Sequence, residues 1–355
     1  MKQFFFFASL SLCVNMYATV RTVSNNPNTL AQFNTIQAGI DASSSGDTVY
    51  VHGSSTPYGG FNLNNKRLTI IGPGWSPIQN FMPFKATINS IVNIAGVGCK
   101  NSEIQGLYFQ YPVSINTTHP DSLRFIRNQF GSAIYFFEAA LFTGYIFQGN
   151  WFDGSWLSAG AGVSFQNFLF QNNIFYSTST NGSLYGFLTC TNVLLDHNLW
   201  YGPSGNASLC FGNSCSHLTL TNNIFVHRDA AANNTLSTFN NNITFNAGVN
   251  NPWALNGNIG DTSNIANQDP QMVSQTQVNN GADDPLLDFT IAAGPSNNSG
   301  SDNKDRGLLY DQSGSLNWAN CRMSRLPFIY SMYINNPTIA AGGTLTVQVE
   351  ARRNN

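Results

Sequence analysis

The phrase FLFQNNIF, Phe168 to Phe175, returns fifty residues later as LTLTNNIF, Leu218 to Phe225. Four related phrases accompany this pair. EIQGLYF closes at Phe109, LRFIRNQF at Phe130, YIFQGNWF at Phe152 and VLLDHNLW at Trp200, so the closing aromatics advance by 21, 22, 23, 25 and 25 residues. A period of about 20–25 residues with one short apolar strand per unit is the mark of a solenoid. Within each unit, alternate positions share a character. Ile104, Phe125, Phe147, Phe170, Leu195 and Leu220 form one apolar column, and Leu123, Tyr145, Phe168, Val193 and Leu218 form another two residues earlier. Side chains at spacing two face one interior, as strands require. An Asn column, Asn128, Asn150, Asn173, Asn198 and Asn223, precedes the second strand of each unit. Asn tolerates left-handed backbone, so these residues are expected to take the bend and to stack as a hydrogen-bonded ladder. Leucine-rich and helical repeats fit less well: the first needs a Leu-rich consensus, the second a period of 3.6 throughout.

The expected fold is all-β, a right-handed parallel β-helix with an N-terminal capping helix and a short C-terminal β appendage. Leu30, Phe33, Ile36 and Ile40 recur at helical spacing and predict the cap, which would shield the first coil's open strand edge. The segment TIQAGIDASSSGDTVYVHG resembles the N-terminal opening of parallel β-helix proteins of the pectin-lyase-like superfamily. DPQMVSQ, with the later DFTIAAGPSNNSGSDNKDRGLLYD, resembles the closing coil of its secreted bacterial members. The resemblance runs from about Thr22 to Asp311 and implies the fold. It leaves the activity open, because lyases, hydrolases, esterases and non-enzymes share that fold.

Residues 1–18 read as a secretory signal peptide: one Lys, an apolar run from Phe4 to about Val14, and Ala18 as the cleavage position. The run is too short to span a membrane, and no other segment is long enough. The β-helix is assigned to residues 19–311 and the appendage to residues 312–355, read as strands around AAGG. A secreted or cell-envelope location follows. Export permits disulfides. Cleavage leaves Cys99, Cys190, Cys210, Cys215 and Cys321, an odd number. Cys190 and Cys215 are expected to stack in adjacent coils, with a Cys210–Cys215 bridge as the rival. Only 9% of residues are charged and the net charge is −2. Without a basic patch, nucleic acid is excluded as a partner. An extracellular polysaccharide or cell-envelope glycan suits the fold better.

Candidate chemistry gathers in a few columns. Asp196 and His197, in LLDHNLWYG, and His227, Arg228 and Asp229, in NNIFVHRD, resemble the Asp-His strand and following coil of pectate lyases. That resemblance implies an acid able to hold calcium or a proton, and an Arg able to steady a uronate carboxylate. The family's Arg-x-Pro-x-x-Arg segment is missing, however, and Asp283-Asp284 is the one echo of the polygalacturonase motifs. A polar outer position explains Asp196 as well, a bend residue explains His197, and a surface ion pair explains Arg228 with Asp229. Asp153, Tyr176 and Tyr201 occupy one column three residues after the bend Asn. The two rings form either a sugar-stacking row or packed core. DNKDRG, Asp302 to Gly307, offers oxygen ligands of the kind calcium takes, without the spacing of a known loop. Ile146, Leu169 and Leu194 form an outward apolar stripe expected to lie under a loop or the appendage. The chain has three Glu, a thin supply for a two-carboxylate glycosidase. A carbohydrate-contacting or structural surface protein without a standard catalytic motif is the leading reading. A polysaccharide lyase or glycoside hydrolase acting on acidic glycans is the alternative.

Overall fold

The computed structural model describes residues 18–75, 84–116, 118–178, 180–205, 208–284, 287–291, 293–309, 327–334 and 342–353. The expected signal peptide, apart from Ala18, and Cys321 lie outside these residues. The chain is a parallel β-solenoid. Sheets of 11, 8 and 7 strands, the first running from Val20 to Gly260, form its faces, each strand pairing with its counterpart one coil on. The columns read from sequence are the ladders of the structure. Ile104, Phe125, Phe147, Phe170, Leu195 and Leu220 pair in order along the first sheet. The closing aromatics Phe109, Phe130, Phe152, Phe175, Trp200 and Phe225 do so along the second. Their rings stack coil on coil, with centroids 5.2 Å apart for Phe109–Phe130 and 3.9 Å for Phe175–Trp200. The ladder also extends past the six copies, to Val49 and Ile70 before them and Phe239 after them.

The Asn ladder forms and is longer than expected. Each side-chain oxygen accepts the backbone N–H and the side-chain amide of the Asn one coil earlier. The series runs Asn128, Asn150, Asn173, Asn198, Asn223, Asn242, Asn264. The bend is taken by the column to which His197 was assigned, one residue before the ladder Asn. Arg127, Gly149, Asn172, His197, Asn222 and Asn241 carry the positive φ. The left-handed residue turns the chain, and the following Asn then points inward, where its amide can reach both neighbouring coils.

The capping helix is shorter than the spacing suggested. It spans Ile36–Asp41 with Thr35 as N-cap, its hydroxyl accepting from the Ala38 N–H. Leu30 is fully exposed and Phe33 bridges to Val23 instead. Gly39 lets the helix sit close on the first coil, since a Cβ there would lie 2.8 Å from Val23 Cγ2. The expected stripe of Ile146, Leu169 and Leu194 is half-buried. The apolar face that is covered lies on the second sheet, where Trp151, Ile174, Leu199, Ile224 and Ile243 form one outward column. The chain returns along this column and buries it beneath Met272, Val278, Leu287, Phe289 and Leu308. In the appendage, Pro327–Ile334 pairs antiparallel with Val347–Arg353, two strands flanking the AAGG segment.

The described cysteines Cys99, Cys190, Cys210 and Cys215 are free and buried. Cys190 pairs in register with Phe165, whereas Cys215 pairs with Asn234 in another sheet. The two thiols still hold the equivalent places expected of them, each three residues before Val193 and Leu218, which pair in register, and the charge of Cys215 acts on Cys190. Burial pushes the Cys215 thiol up to about 12, and raises Cys190 and Cys210 further, so all three stay protonated and inert at neutral pH.

Candidate functional site

Asp196 and His197 end a first-sheet strand and enter the bend, and both lie against the returning chain. Asp196 continues a polar row on the outer face. Gln148 donates to Gln171 at 3.1 Å, and Gln171 donates to Asp196 Oδ2 at 3.1 Å. Thr221 and Asn222 donate to Oδ1 at 2.7 and 3.1 Å. The carboxylate is thus engaged on both oxygens. The His197 ring is 1% exposed. Its Nδ1 lies 3.0 Å from the Gly307 carbonyl, while Nε2 lies 3.4 Å from Asp302 Oδ2 and 3.8 Å from Asp196 Oδ1. Residues 299–309 run as a strap along the left-handed bend residues. Asn241 donates to the Ser299 carbonyl, Asn222 exchanges bonds with Ser301, and Leu309 N–H donates to Asn172 Oδ1. The structure brings Asp196 and His197 together and adds Asp302, but it closes them beneath the strap, where no polymer can reach the imidazole. Asp302 Oδ1 accepts from the Lys304 N–H, the bond of a closing turn. Among the described residues no group of three His, Cys, Asp or Glu side chains is placed to hold a metal ion.

Arg228 and Asp229 do not make the expected surface pair. Arg228 is fully buried and donates to the Phe175 and Leu209 carbonyls and to Ser183 Oγ. Asp229 turns away and accepts the Ala231 and Ala232 N–H groups. A short strand, Arg228–Asp229, pairs with Ser208–Leu209 at a corner of the solenoid and directs the guanidinium inward. Arg228 therefore tethers three segments and offers nothing to a substrate.

Tyr176 and Tyr201 are packed rings. They are 6% and 0% exposed, with centroids 5.1 Å apart and planes 49° apart. Their hydroxyls donate to the Gly281 and Ala282 carbonyls at 3.1 and 3.2 Å, fastening the returning chain over them. The same fastening brings Asp283 against Asp153. Lys85 donates to Gln129 Oε1 at 2.6 Å, Gln129 donates to Asp153 Oδ2 at 2.8 Å, and Asp283 lies beside Asp153. Burial, then the Asp153 charge beside it, pushes the Asp283 carboxyl up to about 7, although part of its side chain reaches the surface. The two carboxyl groups adjoin, without the separation that a glycosidase pair needs for its water or sugar ring.

The open chemistry lies on the third sheet, which sequence reading passed over. Its outward column runs Asn62, Asn93, Ser114, Tyr135, Ser158, Tyr185, Gly212. Asn116 donates to Asn93 and Asn93 to Asn62, at 3.0 and 2.9 Å. Tyr135 and Phe137 stack with centroids 5.0 Å apart and planes 16° apart, and Phe137 is 57% exposed. Two coils on stands Tyr185, its ring over Gly212, where a Cβ would come within 2.6 Å of Tyr185 Cδ2. Beside these rings lies a groove of about 500 Å³ lined by residues including Gly160, Gly162, Ser164, Gly186, Leu188 and Asn213, none of the lining charged. Gly160 N–H donates to the Phe136 carbonyl and Gly186 follows Tyr185, so Phe137 and Tyr185 each stand beside a residue of the groove lining, Tyr185 in register with Tyr135 and Phe137 two residues further along. The signal in the sequence was an alternation out of phase with the repeat, Tyr135-Phe136-Phe137, with a half-buried and an exposed aromatic on the two sides of a buried one. Against known proteins, no family model matches the chain and no curated protein matches it.

Proposed function

We propose that this β-solenoid is a surface protein of the pectin-lyase-like type that binds an extended glycan without cleaving it, on the outer face of its third sheet. The observation that carries this reading is the groove flanked by Phe137 and Tyr185 and lined without charge. Flat apolar rings with polar neighbours suit the mixed faces of a sugar. The axial spacing of Tyr135 and Tyr185 is two coils, about 10 Å at about 4.8 Å per coil. An extended polymer lying along the axis would meet both rings. A neutral glycan fits the uncharged lining better than the acidic glycans weighed from sequence. The residues that first suggested catalysis are each engaged elsewhere, Arg228 in the interior and Asp196 in a filled polar row. An export signal at the N-terminus and a location outside the cell belong to the same proposal.

A glycan array of neutral and acidic polysaccharides tests it, read beside product formation with and without added calcium. Phe137→Ala and Tyr185→Ala are each expected to weaken glycan binding roughly tenfold, about 1.4 kcal/mol. Asp196→Ala is expected to leave binding within twofold. Turnover of an acidic glycan that is lost in Asp196→Ala would replace this reading with the lyase.

A further inference from the structure

The outward column of the third sheet alternates in size. From Ser114 it runs Ser114, Tyr135, Ser158, Tyr185, Gly212, one residue per coil and in continuous register. A ring stands on every second coil, with a small residue on each coil between. Ser114 and Gly212 are buried and Ser158 is half-buried, so the small positions lie low in the column. Gly212 also clears the ring before it. A Cβ there would lie 2.6 Å from Tyr185 Cδ2 and 3.2 Å from Cε2, so that ring is laid along the column over bare backbone. At the other ring, Phe137 stacks on Tyr135 and adds a second, more exposed face to the platform. Gly160, Gly162 and Gly186 in the adjoining groove bring backbone to its surface, where a polymer can approach closely.

A repeat of two coils, about 10 Å at about 4.8 Å per coil, decides what can lie along the column. A polymer that turned the same face down on every residue would call for a ring on every coil. One that does so on every second residue calls for a ring on every second coil. Neutral sugar chains differ in this respect. In a fully extended β-1,4-linked chain each pyranose is turned over relative to the last, the chain is a straight flat ribbon, and each residue advances by close to one coil rise. A β-1,3-linked chain curves and an α-1,4-linked chain coils, so neither keeps alternate sugars in line.

We propose that the ring column of the third sheet is built for a neutral β-1,4-linked glycan ribbon, with alternate sugars stacked at Tyr135–Phe137 and at Tyr185; the linkage named here rests on the glycan reading of the same face. The inverted sugar between them lies over Ser158, whose short side chain leaves room for its substituents. A chain of three sugars is the shortest that engages both platforms.

Calorimetric titration of the intact chain with neutral oligosaccharides of two to six residues tests the linkage. Three series are compared: β-1,4-linked glucose, mannose or xylose, β-1,3-linked glucose, and α-1,4-linked glucose. The β-1,4 series is expected to tighten roughly tenfold from disaccharide to tetrasaccharide, as the second ring is engaged, and to bind roughly tenfold better than the other two at equal length. Tyr185→Ala is expected to abolish the step with length. Tyr185→Phe, which keeps the ring, is expected to hold affinity within twofold. A β-1,4 series that does not tighten beyond the disaccharide overturns the proposal and leaves the glycan reading standing. So does equal binding of β-1,3- or α-1,4-linked chains, or a length step that survives in Tyr185→Ala. A wild type that binds no neutral glycan of any series takes down that reading and the linkage together.

Discussion

Asn173→Ala is expected to lower stability by about 3 kcal/mol, from buried groups orphaned at roughly 1–3 kcal/mol each. Asn173 is fully buried in the middle of the ladder. Its oxygen accepts the Asn150 backbone N–H at 3.0 Å and the Asn150 amide at 3.0 Å, and its own amide donates to the Phe147 carbonyl and to Asn198 Oδ1. Alanine leaves the Asn150 N–H with no acceptor in a site water does not reach. It also removes a donor from a buried carbonyl. The exposed counterpart is the control: Asn192 donates to Asn167 at the surface, where water replaces what is lost. Asn192→Ala is expected to stay within about 0.5 kcal/mol. Equilibrium unfolding in urea, followed by far-ultraviolet circular dichroism, reads both. Equal midpoints for the two variants would mean that the ladder adds nothing that strand pairing does not already supply.

Arg228→Ala is expected to cost about 4 kcal/mol, within the range for truncating a large buried side chain. The loss has two sources. A cavity replaces a long side chain packed at the corner of the solenoid, and the Phe175 and Leu209 carbonyls and Ser183 hydroxyl each lose a donor. Arg228→Met separates them, since it restores most of the volume and none of the bonds. It is expected to recover about half the loss. Arg228→Lys is not conservative here, because a single ammonium cannot reach acceptors arranged for a planar fork. Thermal unfolding measured beside glycan binding distinguishes this role from a functional one. Variants of normal stability that lose binding would put Arg228 back in a ligand site.

Both expectations rest on burial that residue identity alone does not reveal. Arg228 follows a bend His and precedes an Asp, a pattern equally good for a surface pair. Its inward turn is set by the pairing of Arg228–Asp229 with Ser208–Leu209, a contact outside the repeat. The Asn ladder, by contrast, was legible because it recurs with the coil, and a periodic position must have a periodic environment. Even there the bend was read both at the ladder Asn and at the His197 column one residue before it, and the second takes it. Asn favours both left-handed backbone and local hydrogen bonding, and composition cannot say which of two adjacent Asn, as in Asn172-Asn173, does which.

The outward column of the second sheet shows the same division. Ile174-Phe175, Leu199-Trp200 and Ile224-Phe225 place two apolar residues side by side, which breaks the alternation of a strand with one wet face. That signal says both faces are buried. It does not say by what. The cover, Met272 to Leu308, has no repeat of its own and was read as a closing coil.

What the sequence determined by itself is the coil: its period, the columns that face inward, the aromatic stack and the buried amides. Each follows from contacts between neighbouring coils, which repeat and so leave a pattern in the chain. What only the tertiary structure decided is what the outer faces meet. The strap that closes His197, the packing over Tyr176 and Tyr201, the meeting of Asp153 with Asp283 and the open groove beside Phe137 all join or part segments far apart in sequence. Such contacts occur once, have no period, and depend on where a non-repeating segment comes to rest on a surface that the repeat has already built.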